Sequence, residues 1–211
     1  MRKTLLAIVI IFPVLAYSQI GIKAGVNFAN VTKASDVNAS TQTGFLIGLY
    51  LAPPSKGLIS SRTELVYSRQ GYSYESNTNT GNVNLDYILL PQLMGINITK
   101  LVQLQVGFQM AFLINAKADS NTMSSGSNPY GKMMDYYNKF DYGFAGGVEV
   151  HPFKGLLIGA RYNLFLGDLY KDPSSYPPGS TPDFIPSVDA KNNVVQLYAG
   201  WTFGKQSSKK K

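Results

Sequence analysis

Cysteine is absent from the 211 residues, and histidine and tryptophan occur once each. Without cysteine there is no disulfide framework, no thiol nucleophile and no Cys-ligated zinc. Charged residues are only 15% of the chain. Intrinsic disorder needs high charge and low hydrophobicity, so the composition argues against it for the chain as a whole. No stretch of about 18 apolar residues follows the N-terminal segment, so no transmembrane helix is expected. Glycine (20) and tyrosine (14) are plentiful instead. Both are poor in helix interiors, which argues against a helical bundle. The net charge of +7 sits largely at the two ends, on Arg2, Lys3, Lys205, Lys209, Lys210 and Lys211. The middle is close to neutral and offers no basic patch for nucleic acid.

Arg2 and Lys3 precede an apolar stretch from Leu5 to Leu15, interrupted by Pro13. Ala16-Tyr17-Ser18 then places small residues at the positions a signal peptidase reads. The expected organisation is a signal peptide over 1–18, an outer-membrane β-barrel domain over 19–204 and a basic disordered tail over 205–211.

From Gln19 onward the hydrophobic pattern has period 2, the mark of strands with two different faces. Ile20, Ile22, Ala24, Val26 and Phe28 alternate with Gly21, Lys23, Gly25 and Asn27. Similar alternation runs through Phe45–Leu51, Arg62–Gln70, Val102–Ile114, Phe140–Val150, Ile158–Leu166 and Val195–Phe203. Residues 83–97 form a further strand without a clean face, because Ile88, Leu89 and Leu90 are consecutive and Pro91 removes a ladder donor. That makes eight strands, several about ten residues long, as a membrane-spanning strand requires. The connections alternate between short turns (53–57, 97–100, 151–155) and longer loops (30–42, 73–82, 117–139, 168–191). This predicts an all-β, eight-stranded antiparallel up-and-down transmembrane barrel with short periplasmic turns and long extracellular loops.

A soluble barrel would turn its apolar face inward. Here the polar face is rich in glycine and amides and poor in lysine, which suits a narrow interior better than a solvated exterior. Aromatics near strand ends (Tyr67, Phe140, Tyr142, Trp201, Phe203) match the girdles at lipid–water interfaces. The expected interior charges are Lys23, Arg62, Glu64, Asp86, Asp141, Glu149 and Arg161. Nearly balanced, they can pair across a lumen too narrow for anything but side chains, giving a plugged barrel. A proton or small-ion path along them is the sharper alternative. In the loops, Tyr130, Met133, Met134, Tyr136 and Tyr137 form an aromatic–methionine group. They either bind a partner or pack over the barrel mouth as a lid.

The segments Gly21-Ile22-Lys23-Ala24-Gly25-Val26-Asn27-Phe28 and Glu64-Leu65-Val66-Tyr67-Ser68-Arg69-Gln70-Gly71 resemble the first and third strands of the PorT-like outer-membrane β-barrel proteins common in the Bacteroidetes. Leu85-Asp86-Tyr87-Ile88-Leu89-Leu90-Pro91 is similar to that family's tyrosine–proline fourth strand, with Leu89 where an acidic residue is often found. Asp141-Tyr142-Gly143 and Gly159-Ala160-Arg161-Tyr162 resemble its sixth and seventh strands. The resemblance implies an integral outer-membrane barrel and brings no catalytic motif. Gly200-Trp201-Thr202-Phe203 looks like the aromatic-ended last strand read by the barrel-assembly machinery.

No enzyme, cofactor or metal is expected. The one histidine, His151, lies in a short turn before Pro152, on the rim opposite the long loops. The functional expectation is a plugged structural or interaction barrel. Its partners would be outer-membrane lipid or lipopolysaccharide and an extracellular protein or glycan. A narrow channel for small solutes, or an accessory role in envelope secretion, is the alternative.

Overall fold

The computed structural model describes residues 19–32, 39–53, 57–75, 80–120, 133–172, 174, 176 and 190–203. The expected leader over 1–18, the tail over 205–211 and Tyr130 lie outside these residues. Eight strands follow in chain order: β1 (Gln19–Thr32), β2 (Ser40–Ala52), β3 (Ile59–Glu75), β4 (Thr80–Asn97), β5 (Val102–Ser120), β6 (Phe140–Phe153), β7 (Leu156–Phe165) and β8 (Lys191–Phe203). Each pairs antiparallel with its sequence neighbour, and β1 pairs with β8 to close the barrel. Closure leaves no free sheet edge, the condition for crossing hydrocarbon with strands.

The side-chain directions follow the alternation. Along β1 the odd-numbered residues Gly21, Lys23, Asn27, Ala29 and Val31 are buried, and Ile20, Ile22, Val26 and Phe28 face out. The same outward belt continues through Ile47 and Leu49, Leu104, Val106 and Phe108, Phe144 and Val148, Ile158, and Leu197 and Trp201. From Ile20 to Phe28, at about 3.4 Å per residue and a tilt of about 40°, the belt rises roughly 21 Å, close to the height of an outer-membrane apolar band. Above it the outward face turns polar at Asn30, Arg69, Lys117 and Lys139. Beside Ala24 and Ala199, whose side chains are short, the outer wall carries a shallow apolar depression of about 650 Å³ bordered by Ile22, Ile47, Leu65 and Trp201.

The β4–β5 and β6–β7 turns, on the periplasmic rim, are tight. Lys154-Gly155 joins β6 to β7, with Gly155 at φ 90°, a conformation that glycine adopts without strain. In the β4–β5 turn the Thr99 hydroxyl accepts from the amides of Leu101 and Val102, at 3.1 and 2.9 Å.

The structure resolves the phase of β4. Val83, Leu85, Tyr87, Leu89 and Leu93 are buried inside, while Met94 is exposed and Ile88 half-exposed. Pro91 pairs with Gln109 without a bulge. The bulge lies on β5, where the ladder steps from Asp86↔Asn115 to Tyr87↔Leu113. The strands also run beyond the expected loop boundaries. The β3–β4 ladder continues to Glu75↔Thr80, because Tyr72, Tyr74, Val83 and Leu85 pack inward above the membrane belt.

Candidate functional site

Five of the seven expected interior charges converge. Lys23 on β1, Arg62 and Glu64 on β3, Glu149 on β6 and Arg161 on β7 are all buried in the periplasmic half of the lumen. Glu64 accepts from Lys23 Nζ at 2.5 Å and from Arg161 Nη1 and Nη2 at 2.7 and 3.0 Å. Glu149 accepts from Arg62 Nη1 at 2.6 Å and from the Tyr198 hydroxyl at 2.9 Å. Arg161 also donates to Gln105 Oε1 at 2.7 Å. The cations stack on aromatic faces: Arg62 lies 4.7 Å from the Tyr50 ring centroid, and Lys23 lies 4.5 Å from that of Tyr198. Gly159 makes room for this arrangement, since a Cβ there would collide with the Tyr198 ring. Strands β1, β3, β6, β7 and β8 are thereby bound together across the lumen by charge-assisted bonds.

Two expected interior charges belong elsewhere. Asp86 points outward and pairs with Arg69 at 2.8 Å on the outer wall, while Asn115 donates to it at 2.9 Å. Leu85 and Tyr87, which flank it in sequence, take the inward positions, and the β5 bulge turns Asn115 outward to meet it. This corrects the inward placement of Asp86. Asp141 does face in, but near the outer mouth, apart from the five-residue network. Its Oδ1 accepts from the amides of Tyr142 and Gly167 at 2.7 and 2.9 Å.

Above the charges lies a band of amides. Asn27 donates to Ser68 Oγ at 2.9 Å, Gln196 to Asn27 at 3.1 Å, and Asn192 to Gln70 at 2.5 Å. Higher still, the mouth is filled by apolar and tyrosine side chains. Met133 and Tyr137 are fully buried there, and Met134 and Tyr136 pack against the cluster partly buried. Of the two roles open to this loop group, Met133 and Tyr137 therefore serve as a lid, and an exposed patch containing them is ruled out by their burial. The Tyr170 hydroxyl donates to Tyr72 at 2.6 Å, and the Tyr72 and Tyr137 hydroxyls lie 3.3 Å apart. Burial pushes all three phenols well above the ordinary tyrosine value, so this stopper stays uncharged at any ordinary pH.

Sequence reasoning missed Tyr72, Tyr170 and Leu169 as plug residues, and Tyr198 as the hydroxyl that joins the charge network. It also left His151 without an acid. Glu149, two residues earlier on the same strand, has its Oε2 3.4 Å from His151 Nε2.

A closed eight-stranded barrel with a lipid-facing apolar belt and a polar, crosslinked lumen defines an integral outer-membrane β-barrel protein. The family of outer membrane protein beta-barrel domains matches residues 12–171, and the chain belongs to it. It resides in the bacterial outer membrane. The crystal structure of Neisserial surface protein A superposes with a TM-score of 0.52 at 13% identity, covering 87% of this chain and 97% of that one, and shares the fold. Ail, the attachment invasion locus protein of Yersinia pestis, gives 0.46 at 15% identity over 88% and 99% of the two chains. OprG from Pseudomonas aeruginosa gives 0.45 at 11% over 89% and 97%. No curated protein sequence matches.

Proposed function

We propose that this protein is a closed barrel that carries interaction segments at the cell surface, where they bind an extracellular protein or glycan. The observation that supports this reading most is the stopped lumen: the Tyr72–Tyr137–Tyr170 plug lies over an amide band and a buried ion network. The long segments between β5 and β6 and between β7 and β8 then carry the specificity, as loops on a rigid scaffold do. Export by a cleaved leader fits residues 1–18. The motif order fits a PorT-like kinship, and the aromatic end of β8 fits recognition by the barrel-assembly machinery. Lipopolysaccharide is the natural neighbour of the outward Arg69, Lys117 and Lys139. The reading includes no catalytic step, because Glu149, which faces His151, is already held by Arg62 and Tyr198.

Reconstituted in planar bilayers, the protein is expected to give no unitary conductance. Stable steps that disappear when Arg62 and Arg161 are neutralised would overturn this reading in favour of a narrow conduit.

A further inference from the structure

Among the described residues the buried amides are not all satisfied. Gln109 on β5 is 1% exposed and Asn163 on β7 is fully buried, yet both amide atoms of each have no hydrogen-bond partner. Buried amides left dry forfeit their solvation without a replacement partner, so native structures rarely tolerate them. Both side chains face the lumen on either side of β6. Ala145 lies opposite Asn163, and Gly143 opposite Gln109. The inward positions of β6 between Glu149 and Asp141 are Gly147, Ala145 and Gly143, with Gly107 beside them on β5. None has a side chain long enough to reach either amide. Ala145 is buried but, like Leu93 and Tyr176, stands outside the main apolar cluster.

Toward the periplasmic rim Arg161 Nε is also without a hydrogen bond, and Glu149 Oε2 and His151 Nε2 have only each other. The last two are 3.4 Å apart without a well-directed hydrogen bond, and the His151 side chain is 30% exposed. In the other direction the trail ends at Phe165, packed near Tyr87, and the tyrosine plug above it.

We propose that the barrel encloses a hydrated chamber against the inner face of β6, walled by Gln109 and Asn163, entered from the periplasm past His151 and blind at the outer end. Its ligands are water and small uncharged polar molecules. Water satisfies both amides at once, since each offers two donors and an acceptor oxygen, which calls for on the order of two to four molecules. Cations are kept out by the adjoining cluster, where Lys23, Arg62 and Arg161 outnumber Glu64 and Glu149 by one charge. The chamber is compatible with a non-conducting barrel, because nothing passes the plug.

The absence of cysteine provides the test. Ala145→Cys places a thiol in the chamber, and Ala111→Cys places one inside the dry apolar cluster. Both proteins are refolded in vesicles and checked for β-structure and heat-modifiable gel mobility. Each is then exposed to a small neutral methanethiosulfonate and to a trimethylammonium one. The neutral reagent is expected to label Ala145→Cys at least tenfold faster than Ala111→Cys, and the cationic reagent to label neither. Adding His151→Trp to Ala145→Cys is expected to slow neutral labelling several-fold. Equal protection of both thiols, equal reactivity of both, or labelling indifferent to His151→Trp would each overturn the proposal. A second readout needs no mutation: magnetisation transfer from water to the Gln109 and Asn163 side-chain amides is expected, and dry amides would contradict the chamber. Either failure leaves the surface-interaction reading intact, because that reading rests on the plug.

Discussion

Glu64→Ala is expected to cost about 3–5 kcal/mol, enough to prevent folding in weakly stabilising lipids. Glu64 is the shared acceptor of Lys23 and Arg161, and all three side chains are almost wholly buried. Removing one member of a buried ion group strands the others as uncompensated charges, which is the source of that penalty. The wild-type network itself adds far less net stability, because desolvation offsets most of its attraction. The double variant Glu64→Leu with Arg161→Met is therefore expected to be more stable than Glu64→Ala alone. Urea unfolding in vesicles, followed by the fluorescence of the single tryptophan, measures both. A loss below about 1 kcal/mol for Glu64→Ala would mean that water screens the cluster.

Ala199→Arg is expected to cost about 2–4 kcal/mol, and Phe203→Arg about 0–1. Both residues face outward on β8, Ala199 near the middle of its belt and Phe203 at the periplasmic edge. At mid-belt the guanidinium has only acyl chains around it. At the edge it reaches headgroups and water by extending its stem. Folding yield and urea midpoint for the two variants, refolded side by side, check the difference. Equal costs at both depths would be inconsistent with a bilayer around the belt.

Much of the barrel was legible because its strands have faces of opposite chemistry. β1 and β8 alternate without exception over the belt, so Lys23 and Tyr198 are assigned to the lumen by counting alone. β4 is different. Its inner face is apolar in the outer half of the barrel, where the plug replaces polar filling, so Leu85 and Leu89 compete with Ile88 and Leu90 for the same role. Asp86 was assigned to the wrong side for this reason. Its partner Arg69 lies 17 residues away across a hairpin, but nothing local reveals a salt bridge on a membrane protein's outer wall.

The charge network was legible as a set and not as a geometry. Glu64 lies 41 residues from Lys23 and 97 from Arg161, and only strand register brings them to one height. The plug was legible only as two alternatives. Met133 and Tyr137 come from a segment with no periodicity, so the sequence carries no sign of which way they turn. Tyr170 is joined to Tyr137 by a single bridge far from any strand pattern. The unsatisfied Gln109 and Asn163 were invisible in the sequence, because an inward amide looks the same whether or not it has a partner.

Trp201 is the only tryptophan, faces outward, and sits near the periplasmic edge of the β8 belt. Its fluorescence in vesicles containing brominated phospholipids therefore reports directly which way the apolar face points. Strong quenching is expected when the bromines lie near the headgroup end of the acyl chain, and weaker quenching when they lie near the methyl end. Emission indifferent to brominated chains at every depth would mean that the apolar face is turned away from lipid, and the barrel would have to be inverted.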